Sequence, residues 1–362
     1  MKKIALIGAT GSIGRQVIET VQRHSDKYKI VALCANRAGG ELERAKTACG
    51  AEFAAAAAED PAAALSVASY PSADLVFNAA GGFAGLRYSL EAINAGKTLA
   101  LSNKETLVCG GDFIMPLAEK KGATIVPVDS EHSALWQCLN FNARGRFSRL
   151  IITASGGPFY GYTQAQLEKV TPAQALNHPT WKMGAKITVD SATMLNKGYE
   201  IIEAHHLFGA DYGAITAVVQ PQSIVHSLVE FADGALLAQM SYPTMEVPVQ
   251  LALSYPERLE TRLTKTDFTK PFNINFLPLD KEAFPVFALA VGAGKEGGIL
   301  PCALNAASEV AVKAFLEGRI KFTDIYRVLD GVLNTTRNAP ADGYEAVAEA
   351  DAEARAAAIS FL

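Results

Sequence analysis

Between residue 2 and about residue 128, short apolar runs (KIALIG, KIVALC, DLVFNAA, KTLALS, ATIVPV) alternate with longer stretches such as SIGRQVIETVQRH and NKETLVCGGDFIMPLAEKKG. The short runs have the length of strands buried on both faces, and the longer ones carry the spacing of helices that cover them. This pattern predicts an α/β domain with a parallel sheet and helices on both sides. The alanine-rich AEFAAAAAEDPAAA reads as a short strand and a helix separated by Asp60 and Pro61.

The rhythm changes after residue 146. IVHSLVEFADGALLAQMS is two strand-like runs joined by Asp233-Gly234, the signal of a hairpin in an antiparallel sheet, so a central α+β domain is expected over 129–254. Residues 255–280, with three prolines and little periodicity, read as a linker. The segment 281–362 is helical throughout and predicts a small C-terminal helical domain. A chain of 362 residues exceeds a single core, which agrees with division into domains.

The formal charge of −4 argues against nucleic acid or an anionic membrane as the main partner, and no run approaches the length that spans a bilayer. A small molecule is the expected partner. Five scattered cysteines with no C-x-x-C pair read as reduced, structural thiols of a cytoplasmic protein. The opening MKKIALIGATG has too short an apolar stretch for a signal peptide.

IALIGATGSIGRQVI places Gly8, Gly11 and Gly14 between a strand and a helix, the arrangement of a dinucleotide loop. The second strand ends in Asn36 and Arg37 with no acid for ribose hydroxyls, so Arg37 suits the ribose phosphate of NADPH; a solvated surface arginine is the alternative.

PVDSEHSA brings Asp129 and Glu131 two positions apart after a buried run. On an extended chain both would face one side, and like charges so placed call for a cation between them. The segment KITVDSATMLNKGYEIIEAHHLFG supplies a third acid, Glu200, on a helix expected from about residue 192 with Ser191 as its cap. Asn196 and Lys197 share a face with Glu200, and with Ser191 they form a plausible phosphate site. All-oxygen ligation suits Mg2+ or Mn2+. Ser155-Gly156-Gly157 after a strand can aim backbone N–H groups at an anion, or be a plain turn. His178 and Trp181 lie in a Pro- and Gly-containing segment, near 176–186, that reads as a lid. The other histidines read as packing or surface residues.

Together the strings GATGSIG, LSNKETLV, VDSEHSA, SGGPF, HPTWKMG, DSATMLNKGYE, PQSIVHS, LNAASE and FTDI resemble, in order, the 1-deoxy-D-xylulose 5-phosphate reductoisomerase family. The resemblance implies a homodimeric, NADPH- and divalent-metal-dependent enzyme of non-mevalonate isoprenoid biosynthesis, with an N-terminal Rossmann-like domain over 1–128. It implies Asp129, Glu131 and Glu200 as metal ligands, and Ser155, Ser191, Asn196 and Lys197 on the substrate phosphate. It further implies Lys104, Ser130 and His178 on the rest of the substrate, with Lys104, Ser130 and Glu131 closest to the chemistry. Thr10, Gly11, Ser12, Ile13, Asn36, Arg37, Asn103, Glu105 and Gly184 would contact NADPH, and Trp181 with Met183 would close the lid. The chain departs from the common pattern at 82–89 (GFAGLRYS), Ala38, Tyr160 and Thr180. A simple NADP-dependent dehydrogenase and a non-catalytic NADPH sensor remain as rivals from other classes.

Overall fold

The computed structural model describes residues 1–140, 147–263, 267 and 269–362. These form two compact units. The first comprises Met1–Thr106, Phe113–Ser133 and Thr244–Arg262; the second comprises Leu107–Asp112, Ala134–Pro243 and Leu263–Leu362.

The first half of the chain runs β1 (Lys2–Ile7), α1 (Ser12–Arg23), β2 (Tyr28–Ala35), α2 (Gly40–Cys49), β3 (Phe53–Ala56), α3 (Pro61–Ser66), β4 (Leu75–Asn78), α4 (Ala84–Asn94), β5 (Thr98–Leu101), α5 (Glu105–Lys121), β6 (Ile125–Pro127) and α6 (Ser130–Asn140). The six strands form one sheet in the order β3-β2-β1-β4-β5-β6, every pair parallel. The strand order reverses direction between β1 and β4, where such sheets open a crevice for a dinucleotide. Ile4, Leu6, Ile30, Leu33, Leu75, Phe77 and Leu99 are fully buried, which accounts for the unbroken apolar runs. In the alanine-rich stretch, Asp60 accepts the Ala63 N–H at 2.9 Å and Pro61 opens α3, so the Asp-Pro pair acts as cap and first turn.

The second half runs β7 (Phe147–Ala154), α7 (Gln164–Leu167), α8 (Pro172–Ala175), α9 (Ala185–Ala192), α10 (Leu195–Phe208), β8 (Ile215–Val219), β9 (Val225–Phe231), β10 (Leu236–Met240), α11 (Glu246–Ser254), β11 (Leu277–Pro278), α12 (Pro285–Glu296), α13 (Leu300–Leu316), α14 (Asp324–Thr335) and α15 (Tyr344–Ser360). A five-stranded mixed sheet has the order β10-β9-β7-β8-β11. β9 and β10 form the expected hairpin: Gly234 adopts φ +85° and Asp233 accepts the Ala235 N–H at 3.0 Å. α12 to α15 form the expected helical bundle, and α13 buries most of its length. The bundle fixes α9 and α10 through Ser308 on α13, which meets Lys186 Nζ at 3.1 Å and the Tyr199 hydroxyl at 2.9 Å.

The expected boundaries at 128, 254 and 280 do not coincide with those of the units. α11 returns to the first unit, where its buried residues Val249, Leu251 and Leu253 are accompanied by polar ties to the start of the chain. Arg23 pairs with Glu246, Lys27 with Glu257 at 2.9 Å, and Lys2 Nζ donates to the Leu253 carbonyl at 3.1 Å. The C-terminal helices belong to the same unit as the mixed sheet instead of standing alone. The expected linker contributes β11, which pairs with β8, while its residues 264–266 and 268 lie outside the described residues.

Candidate active site

The glycine loop follows β1. The N–H groups of Gly8 and Ala9 both donate to the Cys34 carbonyl, at 3.0 and 2.9 Å, which ties the loop to the end of β2. Gly8 adopts φ +78°, a region costly for any residue with a side chain. A Cβ on Gly14 would collide with the Gly8 carbonyl oxygen and lie 2.8 Å from Ala9, so only glycine lets α1 start this close to the strand. Gly11 caps α1, and Ser12 and Ile13 form its first turn, whose N–H groups and dipole favour an anion. Beside the loop, Thr10, Asn36, Arg37, Ala38 and Gly39 help line an open cavity of about 310 Å³. Arg37 is exposed on its wall.

Further along the same edge, Lys104 follows β5 and Asp129 follows β6. The Lys104 ammonium lies 2.6 Å from Asp129 Oδ2. The extended-chain picture of the acid pair is corrected here: the chain turns into α6 at Ser130, so Asp129 caps a helix and Glu131 sits in its first turn. The Asp129 carbonyl accepts the Ser133 N–H at 2.8 Å and its carboxylate accepts the Ser130 N–H at 3.0 Å. The Ser130 hydroxyl donates to Glu131. A helix N-terminus and a lysine together make this a favourable place for negative charge.

The second unit carries the other group of residues. The helix expected from about 192 with Ser191 as cap is corrected: Ser191 lies in the last turn of α9, and α10 starts after a break at Met194, which adopts φ +63°. Along α10 the expected shared face is present. Asn196 Nδ2 donates to Glu200 Oε1 at 2.5 Å, and Lys197 donates to Glu200 Oε2 and to the Thr153 carbonyl. Lys197 and Glu200 are 4% and 1% exposed, so their charges are desolvated together. Gly156 and Gly157 have φ of +91° and +67°, a turn that glycine adopts without strain, and a Cβ on Gly157 would lie 3.0 Å from the Ser191 carbonyl oxygen.

His178 Nε2 lies 3.0 Å from Ser155 Oγ, while its Nδ1 accepts the N–H groups of Thr180 and Trp181 at 3.1 and 2.9 Å. Two donors at Nδ1 place the ring proton on Nε2, facing the serine. Ser155 Oγ also receives the Gly157 N–H at 3.2 Å, so the serine's own proton is left to donate outward. Burial lowers the His178 pKa and keeps the ring neutral. The 176–184 segment has no regular structure; Gly184 caps α9, Met183 is half-buried, and Trp181 is half-buried with its ring 6.3 Å from that of His226.

Asn103 and Glu105 are bonded to each other and to the backbone of Gly82. Asn103 is 1% exposed and its amide is spent on interior bonds, to Gly82 O at 3.0 Å and Glu105 at 2.7 Å. Asn103 also bonds Thr106, which meets Ser89, which in turn is met by Asn78; the sequence reading names none of these three, although Asn78 is a polar residue closing the apolar run LVF, which is a readable sign. None of the five cysteines, all of them described, is in a disulfide, and burial pushes Cys34 up to about 12 and Cys138 to about 11, far from a reactive thiolate.

Family models match along the chain: 1-deoxy-D-xylulose 5-phosphate reductoisomerase over residues 4–67 and 41–111, the corresponding C-terminal domain over 125–208, and the DXP reductoisomerase C-terminal domain over 240–357. The reductoisomerases of Pelotomaculum thermopropionicum and Heliobacterium modesticaldum are each 45% identical, over 98% of this chain and 97% and 96% of theirs. The fold matches that of the Zymomonas mobilis enzyme in complex with NADPH at a TM-score of 0.91 and 38% identity, covering 99% of this chain and 98% of that one. It matches a reductoisomerase in complex with NADPH, fosmidomycin and magnesium at 0.90 and 34%, covering 100% and 98%. No helix among the described residues is long and apolar enough to cross a membrane. With half the chain and more under these models and relatives aligned end to end, the chain belongs to the 1-deoxy-D-xylulose 5-phosphate reductoisomerase family.

Proposed function

We propose that this chain rearranges and reduces 1-deoxy-D-xylulose 5-phosphate to 2-C-methyl-D-erythritol 4-phosphate with NADPH and Mg2+ or Mn2+, a step of isoprenoid precursor synthesis. One observation carries the reading beyond family membership. The glycine loop, Lys104 and the Asp129–Glu131 pair all follow carboxyl ends of strands in one parallel sheet, so cofactor loop, lysine and acids share one edge. A simple dehydrogenase needs the first of these and not the acids.

The residues fit both groups. The 310 Å³ cavity with Arg37 on its wall suits a phosphorylated ribose, and the first turn of α1 suits the pyrophosphate. As the resemblance implies, Asp129, Glu131 and Glu200 would hold a hard divalent cation through oxygen alone, and such an ion would polarise a carbonyl and a neighbouring hydroxyl and lower the hydroxyl's pKa. NADPH supplies the hydride.

The chain's own residues bind, orient and charge-balance. Ser155 presents its proton outward because His178 and Gly157 occupy its lone pairs. With Ser191, Asn196 and Lys197 it holds the substrate phosphate, whose binding energy orients the distant reacting carbons. Ser130, positioned by Glu131, and Lys104 hold the polar atoms of the ketose, and the lysine ammonium stabilises negative charge that develops on its oxygens. Trp181 and Met183 cover the bound substrate when the 176–184 segment closes. A homodimer and a cytoplasmic location complete the proposal; sedimentation of purified protein tests the first.

The deciding experiment incubates purified protein with NADPH, magnesium or manganese, and deoxyxylulose phosphate, following NADPH absorbance and the carbon skeleton by NMR. Branched product is expected, and rigorous chelation of the metal abolishes it. A straight-chain reduced product would point to a dehydrogenase, and cofactor binding without turnover to a sensor.

A further inference from the structure

A chain of buried polar side chains lies beneath the carboxyl ends of β4 and β5, all within the first unit. Asn78, Ser89, Asn103 and Thr106 are at most 1% exposed. Their bonds run in one direction. Asn78 Nδ2 donates to Ser89 Oγ at 2.8 Å, Ser89 Oγ meets Thr106 Oγ1 at 2.9 Å, and Thr106 Oγ1 donates to Asn103 Oδ1 at 2.6 Å. The threonine's single proton is spent on Asn103, so the serine must donate to the threonine.

Each end is fixed by backbone. Asn78 Nδ2 also donates to the Gly85 carbonyl at 2.8 Å and its Oδ1 accepts the Ala80 N–H at 3.1 Å. Asn103 Oδ1 also accepts the Thr106 N–H at 3.1 Å, and its Nδ2 donates to the Gly82 carbonyl and to Glu105, which in turn accepts the Gly82 N–H at 3.2 Å. Acceptors surround Nδ2 and donors surround Oδ1, so the amide has one possible orientation.

The circuit therefore clamps the loop after β4 and the first turn of α4 to Asn103 and Glu105, the residues on either side of Lys104. In this strand order the glycine loop and β2 serve the adenosine half of a dinucleotide, and the ends of β4 and β5 face its nicotinamide half. We propose that Asn78, Ser89 and Thr106 are positioning residues that act through Asn103 to hold the loop after β4, the first turn of α4 and Lys104 in register with the nicotinamide and the reacting carbonyl. This proposal rests on the function stated above. It also gives the GFAGLRYS segment, where the chain departs from the common pattern, a job: it supplies Ser89 and the two glycine carbonyls.

The test compares Thr106→Val, which keeps shape and removes the hydroxyl, with Thr106→Ser, which restores it. Thr106→Val is expected to lower kcat about tenfold or more with little change in KM for deoxyxylulose phosphate, and to enlarge the primary isotope effect with deuterated NADPH. NADPH should bind more weakly while 2′-phospho-ADP-ribose, which lacks the nicotinamide, binds as to wild type. Thr106→Ser should return each value toward wild type. Unchanged kcat and isotope effect in Thr106→Val, or equal loss of both ligands, would overturn the proposal. If Thr106→Val is insoluble, Ser89→Ala breaks the same chain one link earlier and is judged by the same measurements. The binding comparison needs no turnover, so a wild type that makes no branched product would refute the function while the circuit is still decided by the two ligands.

Discussion

Lys197 and Glu200 offer a prediction whose size follows from burial. The side chains are 4% and 1% exposed and bonded to each other, with Lys197 also on the Thr153 carbonyl and Glu200 on Asn196. Replacing Lys197 with Met fills the volume but strands a carboxylate in the interior, a loss of about 3 to 5 kcal/mol for breaking a buried pair. Glu200→Gln keeps one acceptor oxygen, turns an amide N–H group toward the other donor and leaves the buried Lys197 ammonium without its counter-charge, so a loss of about 3 to 5 kcal/mol is expected from this side too. The double variant has no buried charge left to strand, and its loss should fall short of the sum by about 2 kcal/mol. Urea unfolding of metal-free protein, followed by a probe in the second unit, measures all three against wild type. Kinetics run alongside should show Lys197→Met raising KM for the phosphate-bearing substrate and Glu200→Gln weakening the metal dependence. Additivity within about 0.5 kcal/mol would refute the claim that the two charges are desolvated as a pair.

Other outcomes follow from single features. Arg37→Asp should weaken NADPH by about 1.5 to 3 kcal/mol, as for a lost charge-assisted contact, and leave NADH nearly unchanged in calorimetric titration; equal effects on both would remove Arg37 from the ribose phosphate. Gly14→Ala drives a Cβ into the backbone of Gly8 and Ala9, so about 1 to 3 kcal/mol of stability and most NADPH affinity should be lost together, measured by melting and titration. His178 has its pKa lowered from 6.5 by burial, so its contribution is fully present above 6.5 and is lost as pH falls through the folded value. Protonation there removes the acceptor of the Thr180 and Trp181 N–H groups, so in a Trp136→Phe background the Trp181 fluorescence should change on acidification; an identical change in His178→Phe would sink the assignment.

What the chain disclosed in advance was whatever is local. Unbroken apolar runs marked the six parallel strands because both faces of that sheet are covered, and Asp60-Pro61 and Asp233-Gly234 marked a helix start and a hairpin because their backbone chemistry acts over three or four residues. The acids at 129 and 131 and the lysine at 197 were readable through charge and spacing. The rest depended on contacts distant in sequence or on strain. The α9–α10 break falls at Met194, a residue type that rarely adopts a left-handed conformation, so nothing in DSATMLNKG announces it. The turn into α6 at Ser130 erased the alternation assumed for Asp129 and Glu131. The Asn78–Asn103 circuit joins residues from two strand ends and two helices, and only Asn78, polar at the close of an apolar strand, betrayed it.

The return of α11 to the first unit bears on how the protein is made. Seven consecutive residues of that helix, Pro248 to Ser254, are buried, and Arg23, Lys27 and Lys2 reach across more than 220 positions to it and its flank. During synthesis the dinucleotide sheet is complete once residue 127 has emerged, yet its covering helix is still more than a hundred residues from being translated. The nascent sheet must wait with an apolar flank open, and contacts of such sequence separation close slowly. A gene fragment cut at residue 133 therefore ends before the piece that seals it, and a soluble dinucleotide-binding fragment calls for residues 244–262, grafted through a short connection or added as a separate peptide.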